Sequence, residues 1–171
     1  LEEGRWPVRA VIGEAVPISA TVFREGHDAV GATVVVTDPD GVVLSFPMPL
    51  KNWGNAYYLA QFLPTKEGLH SFRVEAWSDP VGTWLHAAEV KIHAGVDVQL
   101  MLDEGVQILT RARDEVPRRP ADREFLSVAI ATLIDGRRPP DARLAAALSP
   151  RVKEILTTAP LRDSVTASRE Y

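Results

Sequence analysis

The residues of this chain with the most chemistry to offer are its four histidines, its aspartates and a group of aromatic side chains. His86 and His93 stand seven positions apart, so one helix would carry both on a similar face. A zinc site asks for ligands at i,i+4 or for a third ligand nearby, and neither is offered. His27 and His70 are isolated, and all four histidines read as surface or boundary residues. Asp38, Asp40, Asp79 and Asp97 each stand beside a Gly or Pro or at the start of an apolar period. Those are positions where a carboxylate closes a turn or caps a helix. A glycosidase pair would need two carboxylates held roughly 5 to 9 Å apart in a cleft, which no spacing here implies. There is no Gly-x-Ser-x-Gly elbow and no phosphate-cradling glycine loop. The chain has no cysteine, which removes disulfides, thiolate zinc sites and cysteine nucleophiles. No cofactor is implied.

The aromatics leave two readings open. Trp53, Tyr57, Tyr58, Trp77 and Trp84 could stack on the flat apolar face of a sugar, or they could pack a core or an interdomain contact. Trp53 lies in the polar turn Asn52-Trp53-Gly54-Asn55 and is the ring expected to be exposed. It suits a ligand, an interdomain surface or a subunit contact equally well.

These residues need a scaffold, and composition bounds it. The 171 residues suffice for an ordinary domain with an appendage. An apolar fraction of 46% with 25% charged residues is that of a globular chain. The net charge of −4 argues against nucleic acid as a partner, because phosphate binding needs a basic face. No apolar run approaches the ~18 residues of a membrane span. A first residue other than methionine and an end without a terminating feature suggest a piece of a longer polypeptide.

Up to about position 78 the pattern has the period of strands. Arg5 to Val11 reads as an edge strand, since Pro7 removes a ladder donor. Val16, Ile18, Ala20 and Val22 alternate as a half-buried strand. Ala32 to Thr37 is β-branched and central, and Asp38-Pro39-Asp40-Gly41 turns the chain back through Val42 to Phe46. Pro47 to Leu50 reads as a loop entry, Ala56 to Phe62 as a strand, and Leu69 to Trp77 as another. Strands spaced by about ten residues, with turn chemistry between them, predict a mainly β protein with an immunoglobulin- or fibronectin-like sandwich.

The period then changes across Ala76 to Trp84, the stretch that organises the chain. Val81, Trp84, Leu85, Ala88 and Ile92 fall at helical spacing, but Trp84, His86, Ala88, Val90 and Ile92 also alternate. The punctuation favours a helix: Asp79 as cap, Pro80 at the first helical position and Gly95 after the end. Further helices follow from Asp97 to near Arg113, from a cap at Asp122 to Gly136, briefly from Asp141 to Leu148, and from Ser149-Pro150 to Thr158. In the third, Phe125, Leu126, Ala129, Ile130 and Leu133 are expected inside, and Pro117 to Pro120 is a basic connector. The expected division is therefore a strand region over residues 1–78 and a helical extension over residues 79–171.

Four stretches in order resemble one family. They are Gly4-Arg5-Trp6-Pro7-Val8-Arg9, then Gly13-Glu14-Ala15-Val16 with Gly26-His27-Asp28. Val74-Glu75-Ala76-Trp77-Ser78-Asp79 with Thr83-Trp84 is the third, and Lys91 with Ala94-Gly95-Val96-Asp97 the fourth. Together they are similar to the N-terminal region of the bacterial GlgE-type α-1,4-glucan:maltose-1-phosphate maltosyltransferases of the α-amylase superfamily. The chain departs from the family pattern at Ser78 to Gly82, at Leu85-His86-Ala87-Ala88 and at Val96. The resemblance implies a cytoplasmic parent enzyme that moves maltosyl units from maltose 1-phosphate to α-1,4-glucans with retention. It places the catalytic residues in a (β/α)8 barrel after Tyr171, so no catalytic residue is carried onto this chain. It implies that this part supports the barrel and helps to form a homodimer. The rival expectations are a carbohydrate-binding module in contact with α-glucan through Trp53 and its neighbours, or a generic immunoglobulin-like interaction domain.

Overall fold

The computed structural model describes residues 6–171, which form two compact units. Among the described residues there are seven strands and five helices, with more of the chain helical than extended. The protein is thus a mixed α and β chain rather than a mainly β one.

The first unit comprises residues 6–26, Val30–Ser78 and Ser164–Tyr171. Its strands are β1 (Val16–Thr21), β2 (Val30–Thr37), β3 (Val43–Met48), β4 (Leu50–Asn52), β5 (Tyr57–Phe62), β6 (Ser71–Ser78) and the greater part of β7 (Asp163–Ala167). They make two sheets, β1-β5-β4 and β3-β2-β6-β7, and β1 with β5, β5 with β4, β3 with β2 and β2 with β6 pair antiparallel. Alternation decides which side chains go inside. Ile18, Tyr58, Ala60 and Phe62 from one sheet join Ala32, Val34, Val36 and Met48 from the other in a single apolar cluster. β2 is the central strand, and Val34, Val35 and Val36 are almost wholly buried, as its β-branched run predicts.

Several expectations are corrected here. Arg5 lies outside the described residues, and residues 6–11 form no strand. Trp6, Val8 and Val11 all stand exposed, so the segment has no buried face to fix its register. Leu50 is not a loop entry but begins β4, which pairs with β5 through an irregular register between Leu50 and Asn52. β7 lies within the region expected to be helical; it joins β6 at the sheet edge, and its five residues carry little apolar signal.

The second unit comprises His27–Ala29 and Asp79–Asp163. Its helices are α1 (Pro80–His93), α2 (Val98–Asp114), α3 (Pro120–Ile134), α4 (Pro140–Ala147) and α5 (Pro150–Thr158). The open choice between strand and helix over residues 83–93 falls to helix. Trp84, Ala88 and Ile92 form its buried stripe at i, i+4 and i+8, and it ends at Ala94 with Gly95 at positive φ. Four of the five helices place a proline at the first helical position, where the missing N–H costs nothing. That rule moves the start of α3: Pro120 opens it after Arg119, so Asp122 lies inside the first turn rather than at the cap. Phe125 is corrected too, being 46% exposed while Leu126, Ala129, Ile130 and Leu133 are buried. The buried cluster of this unit runs from Trp84 to Leu161 and draws on every helix.

Among the described residues, no helix is long and apolar enough to cross a membrane.

Candidate functional site

The five aromatic candidates do not form one platform. Tyr58 is buried in the sheet cluster and its hydroxyl donates to the Val30 carbonyl at 2.9 Å. Tyr57 beside it is half-buried. Trp77 is buried on β6, directly opposite Gly31 on β2, and its Nε1 donates to Thr33 Oγ1 at 3.2 Å. Trp84 is buried among the helices and its Nε1 donates to the Met101 carbonyl at 2.7 Å. Trp53 alone of the five is open to solvent, at 89% exposure.

The two buried tryptophans share a device that the sequence reading did not include. Each ring lies where a glycine leaves room. A Cβ on Gly31 would come within 2.2 Å of Trp77 Cζ2, and a Cβ on Gly105 within 2.2 Å of Trp84 Cζ2. Gly31 sits inside β2 and Gly105 inside α2, positions where glycine is otherwise unfavourable. A glycine interrupting an apolar period is the signal that could have found them.

The aspartates do structural work. Asp79 has extended backbone before α1 and accepts from the Gly82 N–H at 2.9 Å, as a capping residue should. Burial holds its carboxyl above the usual carboxylate range, against the lowering effect of the N–H bonds from Gly82 and Val81. Thr83 Oγ1 donates to the Asp79 carbonyl and accepts from Ala29 N–H, each at 2.8 Å. The Asp79 N–H in turn donates to the Ala29 carbonyl at 2.9 Å. The loop after Gly26 and the start of α1 are thereby tied together, so two of the distinctive sequence stretches meet at one helix terminus. Asp38 closes its turn through the N–H groups of Asp40 and Val42, and the Lys66 ammonium at 2.5 Å holds its carboxyl below the usual range. Asp97 precedes α2 in left-handed backbone and makes no side-chain cap; its carboxylate meets Lys91 at 3.1 Å instead.

His27, His86 and His93 are exposed, and His70 packs on the Phe62 ring at 5.4 Å. Among the described residues, no three His, Asp or Glu side chains are grouped to hold a metal ion.

The basic connector hides a second feature. Arg118 Nε donates to the Ala112 carbonyl at 2.7 Å, and its terminal nitrogens donate to the Ile155 and Ala159 carbonyls at 2.9 and 2.5 Å. One guanidinium thus caps carbonyls at the ends of α2 and α5, of which the Ile155 carbonyl also accepts from the Ala159 N–H at 3.2 Å. Burial lowers its pKa from the ordinary arginine value. Beside it, Asp122 accepts from Arg119 and Arg151, and Arg151 also pairs with Glu154. The groove formed there is lined by these groups and by Ile155 and Ala159.

Comparison with known proteins supplies what the geometry does not. Residues 1–171 match the family described as alpha-1,4-glucan:maltose-1-phosphate maltosyltransferase, domain N/S. Alpha-1,4-glucan:maltose-1-phosphate maltosyltransferase 2 of Streptomyces coelicolor is 47% identical over 98% of this chain and 25% of the relative. Maltosyltransferase 1 of the same organism is 48% identical over the same shares. The Mycobacterium tuberculosis enzyme is 38% identical over 98% of this chain and 27% of its own length. The chain spans about a quarter of the length of these curated relatives. Matched along its whole length, it belongs to the alpha-1,4-glucan:maltose-1-phosphate maltosyltransferase domain N/S family.

Proposed function

We propose that this chain is the non-catalytic N-terminal part of a longer maltosyltransferase. The parent transfers maltosyl units from maltose 1-phosphate to the ends of α-1,4-glucans, with retention, in the cytoplasm. The observation that carries this reading is the family match over residues 1–171, set against relatives that are about four times as long. The catalytic barrel is then a partner in the same polypeptide, and the parent is a homodimer to which this part contributes. The first unit is an immunoglobulin- or fibronectin-like sandwich; two antiparallel sheets feeding one apolar cluster support that reading. The helical part begins at Asp79 and leads toward the barrel.

The test uses the parent polypeptide with maltose 1-phosphate and a short maltooligosaccharide. Release of phosphate and lengthening of the acceptor by two glucosyl units is the expected result. A parent that consumes no maltose 1-phosphate overturns the reading. Light scattering of the parent and of this chain across a concentration series tests the dimer. A dimer of this chain places a subunit contact on it; a monomeric parent removes the homodimer.

A further inference from the structure

Trp53 and Phe23 are two large aromatic side chains left almost wholly in solvent, at 89% and 78% exposure. They are thirty residues apart in sequence but belong to the same end of one sheet. Thr21 at the end of β1 pairs with Tyr57 at the start of β5, and Asn52 at the end of β4 pairs with that same Tyr57. Phe23 follows β1 by two residues and Trp53 follows β4 by one. The strands carrying them flank β5, so they stand about two strand spacings apart, roughly 10 Å.

The turn that presents Trp53 is fixed at several points. Asn52 Oδ1 accepts from Gly54 N–H at 2.8 Å, and Ala56 N–H donates to the Trp53 carbonyl at 3.4 Å. Val22 N–H donates to the Ala56 carbonyl at 3.0 Å, while the Val22 side chain is buried in the sheet cluster. The indole is therefore carried outward on a tied turn, at little ordering cost to a ligand. Asn52 and Asn55 on either side of it bring amide groups, and Lys51 a cation, to the same turn. An exposed indole set between amides, with the Phe23 ring followed by the polar Arg24 and Glu25, matches a sugar chain, whose pyranose units offer an apolar face and a rim of hydroxyls. A hydrophobic protein partner would be served better by a contiguous apolar surface than by two separated rings with polar neighbours.

Resting on the maltosyltransferase reading, we infer that Trp53 and Phe23 form an anchoring site for α-1,4-glucan chains. Stacking on two separated rings requires an acceptor long enough to reach both. The site therefore favours long acceptors over short ones and leaves the chemical step alone.

The test compares the wild-type parent polypeptide with its Trp53→Ala, Phe23→Ala and Trp53→Phe forms. Electrophoresis through native gels with and without soluble amylose reads the anchoring directly. Wild type is retarded, Trp53→Ala and Phe23→Ala lose at least fivefold of that retardation, and Trp53→Phe keeps most of it because the flat ring remains. In kinetics, KM for amylose rises severalfold in Trp53→Ala, while kcat and the KM for maltotetraose stay at wild-type values. Equal retardation of wild type and Trp53→Ala, in an enzyme that transfers maltosyl units, overturns the anchoring site and leaves the enzyme reading standing. Retardation lost in Trp53→Ala, in a parent without maltosyl transfer, keeps the site and overturns the enzyme reading. Loss of acrylamide quenching at Trp53 in the assembled parent, showing the ring covered by protein, also overturns the site.

Discussion

Gly105→Ala sets helix propensity against packing, and the structure decides the sign. Alanine in an exposed helix interior is favoured over glycine by about 1 kcal/mol. Gly105 lies in the second turn of α2 and is buried against Trp84. A Cβ there would stand 2.2 Å from Trp84 Cζ2, 2.8 Å from Cε2 and 3.0 Å from Leu133 Cδ1. Carbon atoms prefer about 3.5 to 4.0 Å, so the indole must retreat by more than an ångström. It has nowhere near at hand to go, being 2% exposed with its Nε1 held 2.7 Å from the Met101 carbonyl. Overpacking of this kind costs roughly 1 to 3 kcal/mol, and breaking the buried indole bond adds about 1 to 3. After the propensity gain is subtracted, the variant should lose about 1 to 5 kcal/mol. Urea unfolding followed by tryptophan fluorescence and far-ultraviolet circular dichroism measures this. Gly136→Ala is the control, because a Cβ there meets nothing within 4 Å. Trp84→Phe combined with Gly105→Ala should cost less than the sum of the two single changes, since the smaller ring vacates the space. A neutral or stabilised Gly105→Ala would refute the claim that Trp84 is seated on this glycine.

The companion change Gly31→Ala should also destabilise, by about 1 to 3 kcal/mol, since its Cβ would fall 2.2 Å from Trp77 Cζ2; the same unfolding curve reads it. Trp77→Ala should cost about 3 to 5 kcal/mol as a core truncation, and a loss below about 1 kcal/mol would mark the ring as a surface one. Asp79 has a raised pKa, so the native state holds its proton to higher pH than the unfolded chain, and its contribution to stability falls as pH rises through that interval. Asp79→Asn, which keeps a capping oxygen without the buried charge, should match or exceed wild type at pH 7 and lose its advantage toward acid pH, whereas Asp79→Ala should lose about 1 kcal/mol. Arg118→Ala should cost about 2 to 4 kcal/mol by stranding acceptors at the ends of α2 and α5, and faster amide exchange in the last turn of α5 would locate the damage.

Local chemistry made the helices legible. Asp79, Pro80 and Gly95 each carry a backbone preference that marks a boundary, and they favoured a helix for α1, which the structure shows, although its side chains also alternate like a strand. Two of the errors lie where a boundary depends on distant chain. Residues 6–11 alternate well enough for a strand, but nothing local states whether a sheet edge is available to them. The exposed β7 reads as nothing in particular, because the neighbouring β6 supplies the pairing that makes it a strand. Asp122 was expected to cap because it precedes an apolar run, yet the fixed φ of Pro120 starts the helix sooner.

The same division explains what the aromatic residues disclosed. Composition of the turn was enough to expose Trp53, since a ring between Asn and Gly has no apolar neighbours in sequence to bury it. For Trp77 and Trp84 the deciding residues are glycines found 46 and 21 positions away, so no window along the chain could seat either ring. The stretches through which the chain is recognised are also those whose geometry admits few substitutes. Gly26 at φ +105 precedes the His27-to-Ala29 loop tied to the start of α1, Asp79 and Thr83 complete that junction, and Trp84 fills the space above Gly105. The recognisable pattern at this junction therefore records the demands of a helix start and a ring seat. That is why it carried family membership so directly.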